Sequence, residues 1–288
     1  MFLPRRILEE KLLRILAEDL GQGDVTTALI VPSEITAEAV VIAKSSGVVA
    51  GIEEARILLE SLGLRAETLV QDGEKIKAGQ KLIQVFGDAK TILSSERTVL
   101  NVLSRMSGIA TITRNLTEKL QKARLKAKVA CTRKTAPGLV YFDKKAVQTG
   151  GGDTHRLHLD DMVLIKDNHI AIAGSIEKAV KKAREKVSFS KKIEVETPSV
   201  EGALKAAKAG ADIIMLDNFS PQQARRACEL LQKAGFRKNI LIEASGGISA
   251  ENIVQYASAG VDIVSLGEIT QSPKALDISM EITKVNKR

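Results

Sequence analysis

The sequence predicts an α/β protein whose C-terminal part forms a parallel sheet closed, or nearly closed, into a barrel. From about Ala127 onward, short apolar runs alternate with longer segments of helical spacing. Two segments of this region, KAGADIIMLD and SAGVDIVSLG, repeat one order of small residue, glycine, small residue, aspartate and strand. Repeated strand–helix units of this kind build α/β barrels.

Six candidate strands and four candidate helices make up this region. The strands are AKVACT, DMVLIK, KIEVE, DIIMLD, NILIEA and DIVSLG. The helices between the later strands are SIEKAVKKAREKV, SVEGALKAAKAG, SPQQARRACELLQKAG and SAENIVQYASAG. These helical segments begin with serine, which is a favourable N-cap residue.

The part of the chain before about Asp88 has a different pattern. AEAVVIAKSSGVVAG and LVQDGEKIKAGQKLIQVFGD alternate apolar residues with glycine-containing turns, which predicts strands and hairpins. IEEARILLESLG, between them, has helical spacing. A long helix is predicted from about Ser94 to Gln121, and we expect Gly108 to break or tighten it.

Composition limits the classes of function. The chain has 43 Lys and Arg against 35 Asp and Glu, a net charge of +8, which favours anionic ligands. Only 3% of residues are aromatic, so few side chains could stack on bases, and nucleic-acid binding is disfavoured. The two cysteines, Cys131 and Cys228, form no Cys-x-x-Cys motif. This cysteine usage and the lack of a signal-peptide pattern favour a reducing cytoplasm. Because no apolar run approaches about 20 residues, we also expect no membrane binding.

The candidate strands are followed by residues able to bind a substrate. In α/β barrels the active site lies at this C-terminal end of the strands. For any single residue, the entry of the chain into a loop is a sufficient explanation, but the recurrence predicts a site. The strand-end residues are Thr132, Arg133, Lys134, Lys166, Glu196, Asp217, Ser245, Gly246, Gly247, Leu266 and Gly267.

Cationic side chains dominate the first half of this set. Arg133 offers a planar fork to a carboxylate or phosphate, and Lys134 offers a compact charge. Lys166 ends the apolar run MVLI, where a charge is costly unless it meets an anion. The segment TGGGDTHR adds His155 and Arg156 after three glycines, and it matches neither a dinucleotide-binding motif nor a P-loop. These residues predict an anion-binding wall.

Carboxylates and glycines complete the predicted site. Glu196 and Asp217 could bind a divalent cation, stabilise positive charge on a sugar, or act as acid and base. We place Glu194 on the opposite face of its strand and leave it out of the site. The segments at 245–247 and 266–268 each precede a helical stretch, an arrangement that binds phosphate through backbone N–H groups.

A resemblance to a known family rests on motifs along nearly the whole chain. The motifs are GDVTT, ERTVLNVLSRMSGIAT, TRKTAPGL, GGGDTHR, DMVLIKDNH, EVE, LDN and EASGGI. In order and approximate spacing they resemble the quinolinate phosphoribosyltransferases. The resemblance implies an incomplete, TIM-like α/β barrel at 111–271. It also implies an α+β N-terminal domain at 1–110, joined by a C-terminal helix at about 272–288.

The resemblance also implies a reaction. Phosphoribosyl is transferred from 5-phosphoribosyl 1-pyrophosphate to quinolinate, and loss of CO2 gives nicotinate mononucleotide for NAD biosynthesis. Mg²⁺ accompanies the pyrophosphate substrate, and no organic cofactor is needed. The implied assembly is a homodimer with shared active sites, or a hexamer of such dimers.

Site roles follow from the resemblance motif by motif. Arg97, in ERT, would reach quinolinate across the dimer. The other residues implied for anion binding are Thr132, Arg133, Lys134, His155, Arg156 and Lys166. Glu196 and Asp217 would face the ribose and the pyrophosphate, with any contact to Mg²⁺ made through the substrate. The 5-phosphate would be held by Ser245, Gly246, Gly247, Leu266 and Gly267, and catalysis would depend on Lys134, Lys166, Glu196 and Asp217.

Three alternatives remain open. A paralogue linked to molybdenum transport shares several motifs, but we expect it to differ around LIKDNH, which is present here. A phosphoribosyltransferase for nicotinate or another pyridine is a second alternative, disfavoured by arginines able to hold two carboxylates. The third is a non-catalytic basic protein that uses its charge to bind RNA or acidic partners, with salt-sensitive affinity.

Overall fold

A computed structural model of the protein describes residues 3–287, which divide into two compact units. The first unit comprises the residues up to 112, residues 141–150 and those from 273 onward. The second unit comprises residues 113–140 and 151–272. Among the described residues, no helix combines the length and apolar character needed to cross a bilayer.

The elements of the first part of the chain are α1 (Arg5–Leu20), α2 (Val25–Ile30), β1 (Ile35–Ala43), β2 (Gly47–Val48), α3 (Ile52–Ser61), β3 (Arg65–Thr68), β4 (Lys75–Ile76), β5 (Lys81–Asp88) and α4 (Ala89–Lys122). The elements that follow are β6 (Lys128–Cys131), α5 (Val140–Thr149), β7 (Val163–Ile165), α6 (Asp167–Ala173), α7 (Ile176–Lys186), β8 (Ile193–Thr197), α8 (Val200–Ala209), β9 (Ile213–Asp217), α9 (Pro221–Lys233), β10 (Leu241–Ser245), α10 (Ile253–Ala257), β11 (Ile263–Leu266), α11 (Glu268–Gln271) and β12 (Ile278–Lys287).

The first unit is built on a four-stranded antiparallel sheet. Its strand order is β12-β1-β5-β3, and β2 pairs separately with β4. Helix α3 buries an apolar stripe that includes Ile52, Ala55 and Leu59, and it packs against α1, β3 and β5. Strands, hairpins and this helix agree with the sequence prediction for the first part of the chain.

The C-terminal element is a strand, so the expected C-terminal helix was wrong. Strand β12 pairs with β1 along its length, from Ala43 opposite Ile278 to Ile35 opposite Lys287. The segment ISMEITKVNK alternates apolar and polar residues and is rich in β-branched side chains, which suit a pleated sheet better than a helix. Ile278 and Met280 are buried, whereas the residues from Glu281 onward are mostly exposed.

Helix α4 runs without interruption past Gly108, so the expected break was wrong. A glycine in a helix costs about 1 kcal/mol relative to alanine, and here the packing of Leu103, Met106 and Ile109 outweighs that cost. A Cβ at Gly108 would overlap the carbonyl oxygen of Lys274. The glycine therefore allows another backbone segment of the same unit to cross the helix closely.

The second unit is an open barrel of six parallel strands. Their order is β6-β11-β10-β9-β8-β7, and each coincides with a strand predicted from the sequence. The sheet does not close, because β6 and β7 are its two edges. Asp153 forms a single parallel bridge with Ala130 beside β6. The barrel is therefore incomplete, as expected.

The internal repeat has a structural explanation. Asp212 and Asp262 precede β9 and β11, and each accepts a backbone N–H at the start of a neighbouring strand, from Ile193 and Ile242 respectively, at 2.7 Å. Each aspartate also pairs with an arginine that precedes the neighbouring strand, Arg184 before β8 at 2.7 Å and Arg237 before β10 at 2.8 Å. The same ion-paired link thus fixes the lower end of two different strand pairs.

Three of the predicted serine caps are present. Ser175, Ser199 and Ser220 begin α7, α8 and α9, and each side chain accepts a backbone N–H three residues further on. Satisfying this N–H group fixes where each helix starts. The caps therefore help to set the lengths of the loops that leave the upper ends of β8 and β9.

Candidate active site

A cavity of about 640 Å³ opens at the C-terminal ends of the barrel strands. Its lining includes every strand-end residue predicted from the sequence, together with the histidine and arginine of TGGGDTHR. These are Thr132, Arg133, Lys134, His155, Arg156, Lys166, Glu196, Asp217, Ser245, Gly246, Gly247, Leu266 and Gly267. The position agrees with the general location of active sites in α/β barrels.

A second, larger cavity of about 890 Å³ lies at the opposite end of the barrel. Its lining includes the starts of strands, such as Lys128, Leu241 and Ile263. It has no glycine turn of the kind that follows β10, and Glu196 and Asp217 do not line it. His155 and Arg156 line both cavities, so the turn that contains them lies between the two.

Strand register brings the carboxylates and the glycine turn to the same face of the sheet, near the C-terminal ends of the strands. Ser245 of β10 is paired with Asp217 of β9, and Glu196 of β8 is paired with Met215, two residues below Asp217. Side chains two residues apart on a strand share a face. The two carboxylates therefore face the cavity from adjacent strands.

Lys166 pairs with a carboxylate. This agrees with the expectation that a charge at the end of an apolar strand needs an anionic partner. Its Nζ forms an ion pair with Oε2 of Glu196 on the adjacent strand. The backbone N–H of Lys166 donates to Nδ1 of His169 at 3.0 Å, which orients the start of α6. His169 thus supports the lysine backbone and is itself exposed to solvent.

Lys134 lies across the start of α11. A Cβ placed on Gly267 would be 3.2 Å from Cδ of Lys134, so the glycine makes room for the lysine stem. The Lys134 carbonyl accepts the hydroxyl of Thr270 at 2.9 Å. A hydrogen bond therefore links the loop after β6 to α11, which follows β11. The Lys134 side chain lies beside the backbone at Gly267.

The turn after β10 is packed against the end of β9. Gly246 has φ +91°, and a Cβ there would lie 2.9 Å from the backbone nitrogen of Asn218 and overlap the Asn218 side chain. The N–H of Asn218 donates to the Ser245 carbonyl at 2.8 Å, and its side-chain amide donates to Asp217 at 2.9 Å. Only glycine permits this approach, which joins the Asp217 carboxylate to the glycine turn.

The arrangement can hold a ligand with several negative charges and a site of developing positive charge. Arg133, Lys134, Arg156 and Lys166 surround one cavity with two carboxylates that face it. Planar guanidinium groups suit carboxylates and phosphates. Carboxylates stabilise positive charge that builds up on a sugar carbon during substitution.

The chain matches the models of two domains of one family, one after the other along the sequence. The N-terminal domain of quinolinate phosphoribosyl transferase matches residues 24–107, and the C-terminal domain matches residues 109–281. The second match alone covers more than half of the chain. The chain belongs to the quinolinate phosphoribosyltransferase family.

Relatives of this family member resemble it over most of its length. A probable nicotinate-nucleotide pyrophosphorylase [carboxylating] of Methanothermobacter thermautotrophicus is 46% identical, covering 92% of this chain and 95% of the relative. The nicotinate-nucleotide pyrophosphorylase [carboxylating] of Rattus norvegicus is 40% identical, covering 88% and 85%. The solved structure of nicotinate-nucleotide pyrophosphorylase from Francisella tularensis has a TM-score of 0.88 at 36% identity and covers 98% of both chains.

One predicted substrate-binding residue of this family member lies outside the barrel unit. Arg97 is on α4 in the first unit, with its side chain exposed. The cavity described above is lined by residues of the second unit alone. The donation of Arg97 across a dimer therefore stays a prediction, as do the individual roles of the other site residues.

The sequence prediction missed two buried glutamates. Glu194 lies two residues before Glu196, so the strand repeat places both on one face, and our assignment of Glu194 to the opposite face was wrong. By the same spacing, Glu243 shares the face of Ser245 on β10. Both glutamates are fully buried, and each places a carboxylate oxygen near Nε2 of His155, at 3.3 Å for Glu194 and 3.1 Å for Glu243.

This cluster binds protons more tightly than its separate members would. Burial opposes a charge on His155, but hydrogen bonds and charges from Glu194 and Glu243 raise the pKa of His155 to about 10. Burial also raises the pKa of Glu194, although His155 works against it. Nδ1 of His155 accepts the backbone N–H of Arg156 at 2.8 Å and so carries no proton, which places the additional proton of the cluster on Glu194. At neutral pH the cluster therefore keeps one proton more than a neutral ring with two carboxylates.

Proposed function

We propose that this protein transfers phosphoribosyl from Mg²⁺-bound 5-phosphoribosyl 1-pyrophosphate to quinolinate. Loss of CO2 then gives nicotinate mononucleotide and pyrophosphate. The observation that carries the proposal is a single cavity that combines a cationic wall, two carboxylates and two glycine-containing turns. Membership of the quinolinate phosphoribosyltransferase family supports the same reaction.

The cationic wall suits the aromatic dicarboxylate. Quinolinate carries two adjacent carboxylates, and the wall offers Arg133 and Arg156 as planar forks with Lys166 as a third cation. Burial lowers the pKa of Arg156, and repulsion from the neighbouring guanidinium of Arg133 lowers it further. A bound dianion would remove that repulsion.

The glycine turns suit the phosphate of the ribose. Gly246 and Gly247 have positive φ, so the backbone after β10 turns sharply above the barrel. Gly267 opens the turn after β11 directly beside Lys134. Backbone N–H groups and one lysine form a compact anion site of the kind that binds phosphate in barrels.

The carboxylates would act on the ribose. As the bond from C1 to the pyrophosphate oxygen breaks, the leaving group takes the electron pair and C1 becomes positively charged. Glu196 and Asp217 would stabilise that charge, while Lys134 and the substrate-bound Mg²⁺ would stabilise pyrophosphate. Contact of either carboxylate with Mg²⁺ would be made through the substrate.

Decarboxylation would follow from the new bond. The pyridine nitrogen attacks C1 without losing a proton, so no general base is needed for this step. The resulting pyridinium withdraws electrons, and the bond to the 2-carboxylate breaks with release of CO2. The electron pair left at C2 takes up a proton, which completes nicotinate mononucleotide.

We also propose an assembly and a location for the active form. A homodimer in which Arg97 of one subunit completes the site of the other accords with the exposed position of Arg97 on α4. A guanidinium from this position would add a further fork for the quinolinate carboxylates. We expect the enzyme to act in the cytoplasm.

Product analysis tests the proposed reaction. Purified protein is incubated with Mg²⁺ and phosphoribosyl pyrophosphate, and with either quinolinate or nicotinate, while CO2 and nicotinate mononucleotide are measured. We expect product and CO2 from quinolinate alone. Product from nicotinate instead would keep the phosphoribosyl transfer but overturn the dicarboxylate. The absence of product from both would overturn the reaction and favour the paralogue linked to molybdenum transport or a binding role.

A further inference from the structure

The imidazole of His155 lies in the barrel interior with both nitrogens engaged. Its side chain is 11% exposed, and Nδ1 accepts the backbone N–H of Arg156 at 2.8 Å. A nitrogen that accepts an N–H carries no proton, so the ring proton is on Nε2. That N–H is 3.1 Å from Oε2 of Glu243, with Oε2 of Glu194 at 3.3 Å.

The stability of the barrel does not explain these two glutamates. Both are fully buried, and within residues 3–287 neither oxygen of Glu194 nor Oε1 of Glu243 has a hydrogen-bond partner. Buried carboxylate oxygens without partners destabilise a fold. Replacing buried charges by apolar residues of similar volume is often neutral or stabilising. Polar groups kept at such a cost point to a functional role.

The turn that His155 belongs to is held by side chains. His155 has φ +50°, which is unfavourable for a residue other than glycine. Its N–H donates to Oδ1 of Asp153 at 2.9 Å, and its ring accepts the N–H of Arg156. The ring therefore connects the glutamates in the barrel to the backbone of the arginine in the cavity.

We propose that Glu194 and Glu243 are positioning residues of the anion site, which hold the Nε2–H of His155 and so fix the turn that presents Arg156 to quinolinate. The proposal rests on the proposed function for its substrate. The Nε2–H of His155 is bonded to Oε2 of Glu243, and Oε2 of Glu194, at 3.3 Å, is close enough to accept it when Glu243 is removed. The pair is thus a redundant anchor.

Electrostatics favours the same role. Arg156 interacts electrostatically with Glu194 of the cluster, and Arg133 in turn interacts with Arg156. Arg133 works against the charge on Arg156, whereas Glu194 works in its favour. An anionic group below the wall therefore keeps Arg156 charged and in place before substrate arrives.

A buried cation site is the alternative that the same residues suggest. Nε2 of His155 and one oxygen of each glutamate lie within 4.8 Å of one another. A metal would need the lone pair of Nε2 and hence a proton on Nδ1. Because Nδ1 faces the N–H of Arg156, the geometry favours the Nε2–H tautomer.

Kinetics of apolar replacements tests the anchor. Glu194→Met, Glu243→Met and the double variant are compared with wild type, with Thr197→Val as the matched control. Thr197 is a buried polar residue on the same strand, and its hydroxyl bonds to the carbonyl of Met215. We expect KM for quinolinate to rise by less than about tenfold in each single variant and by at least about a hundredfold in the double variant.

Two further measurements distinguish a positioning role of the two glutamates from a purely structural one. KM for phosphoribosyl pyrophosphate should change by less than about threefold, because Arg156 belongs to the quinolinate end. The melting temperature of each single variant should be no lower than that of wild type, because one buried carboxyl group is removed and the Nε2–H of His155 keeps one acceptor. An unchanged KM for quinolinate in the double variant would overturn the proposal. So would a rise in KM for phosphoribosyl pyrophosphate that equals the rise in KM for quinolinate, or a failure of both single variants to fold.

Nitrogen NMR tests the tautomer without any assay of activity. The chain has three histidines, and the signals of His158 and His169 are assigned with His158→Gln and His169→Gln variants. We expect His155 to show a protonated Nε2 and an unprotonated Nδ1, unchanged by added MgCl2 or ZnCl2. A proton on Nδ1, or a change at Nε2 with either metal, would overturn the anchor. This measurement separates its failure from failure of the proposed reaction.

Discussion

The ammonium of Lys166 is paired with the carboxylate of Glu196 across β7 and β8. The lysine side chain is 43% exposed, and the glutamate side chain is 15% exposed. An exposed pair of this kind adds at most about 1 kcal/mol to stability. The two side chains therefore matter for the separate charges that they present to the cavity, and the half-exposed lysine is available to a bound anion.

Lys166→Ala should fold normally and lose most of its turnover. We expect kcat/KM with quinolinate to fall by at least about a hundredfold, because an electrostatic contact in the cavity is removed. Lys44→Ala is the matched control, since Lys44 is 41% exposed and pairs with Glu281 at 2.5 Å in the first unit. A Lys166→Ala rate close to that of the control would remove the assigned role.

Lys134→Ala should show a related but distinct loss. Its stem packs on Gly267, at the turn assigned to phosphate, so we expect a higher KM for phosphoribosyl pyrophosphate together with a kcat at least about a hundredfold lower. Steady-state kinetics in both substrates measures this. Normal turnover in this variant, with its melting temperature unchanged, would contradict a catalytic role for Lys134.

Gly246→Ala should damage the glycine turn beyond the cost of its backbone conformation. The added Cβ would meet Asn218, and we expect KM for phosphoribosyl pyrophosphate to rise at least about tenfold. Gly235→Ala is the control, because Gly235 has φ +82° and no atom within 4 Å of the added Cβ. Both variants pay roughly 1–2 kcal/mol for the backbone conformation, so equal kinetics would count against the Asn218 contact.

Mixing two inactive variants should restore activity if sites are shared. In a hybrid of Arg97→Ala and Arg133→Ala subunits, one of the two sites keeps both arginines. Random exchange of subunits should restore about a quarter of wild-type activity, since half of the dimers are hybrids. No recovery, once native mass spectrometry shows that hybrids form, would argue against Arg97 acting across the dimer.

The sequence predicted the strands of the barrel because each carries its own local pattern. The strand-end residues followed, since parallel strands bring their ends to one edge. The role of Gly108 could not be predicted, because its reason is contact with a segment more than 160 residues later. The bridge at Asp153 involves one residue pair and leaves no periodic pattern. Glu194 could have been predicted from its spacing to Glu196.

Strand β12 has a consequence for how the protein folds during synthesis. Strand β1 forms early in the chain, but its partner β12 emerges only after the whole second unit has been made. All residues of the second unit are therefore synthesised while the first sheet still lacks one of its strands. Domains usually fold in the order of synthesis, and here the order is reversed for the last step. Until then β1 is an unpaired edge, which a chaperone or another nascent chain could bind.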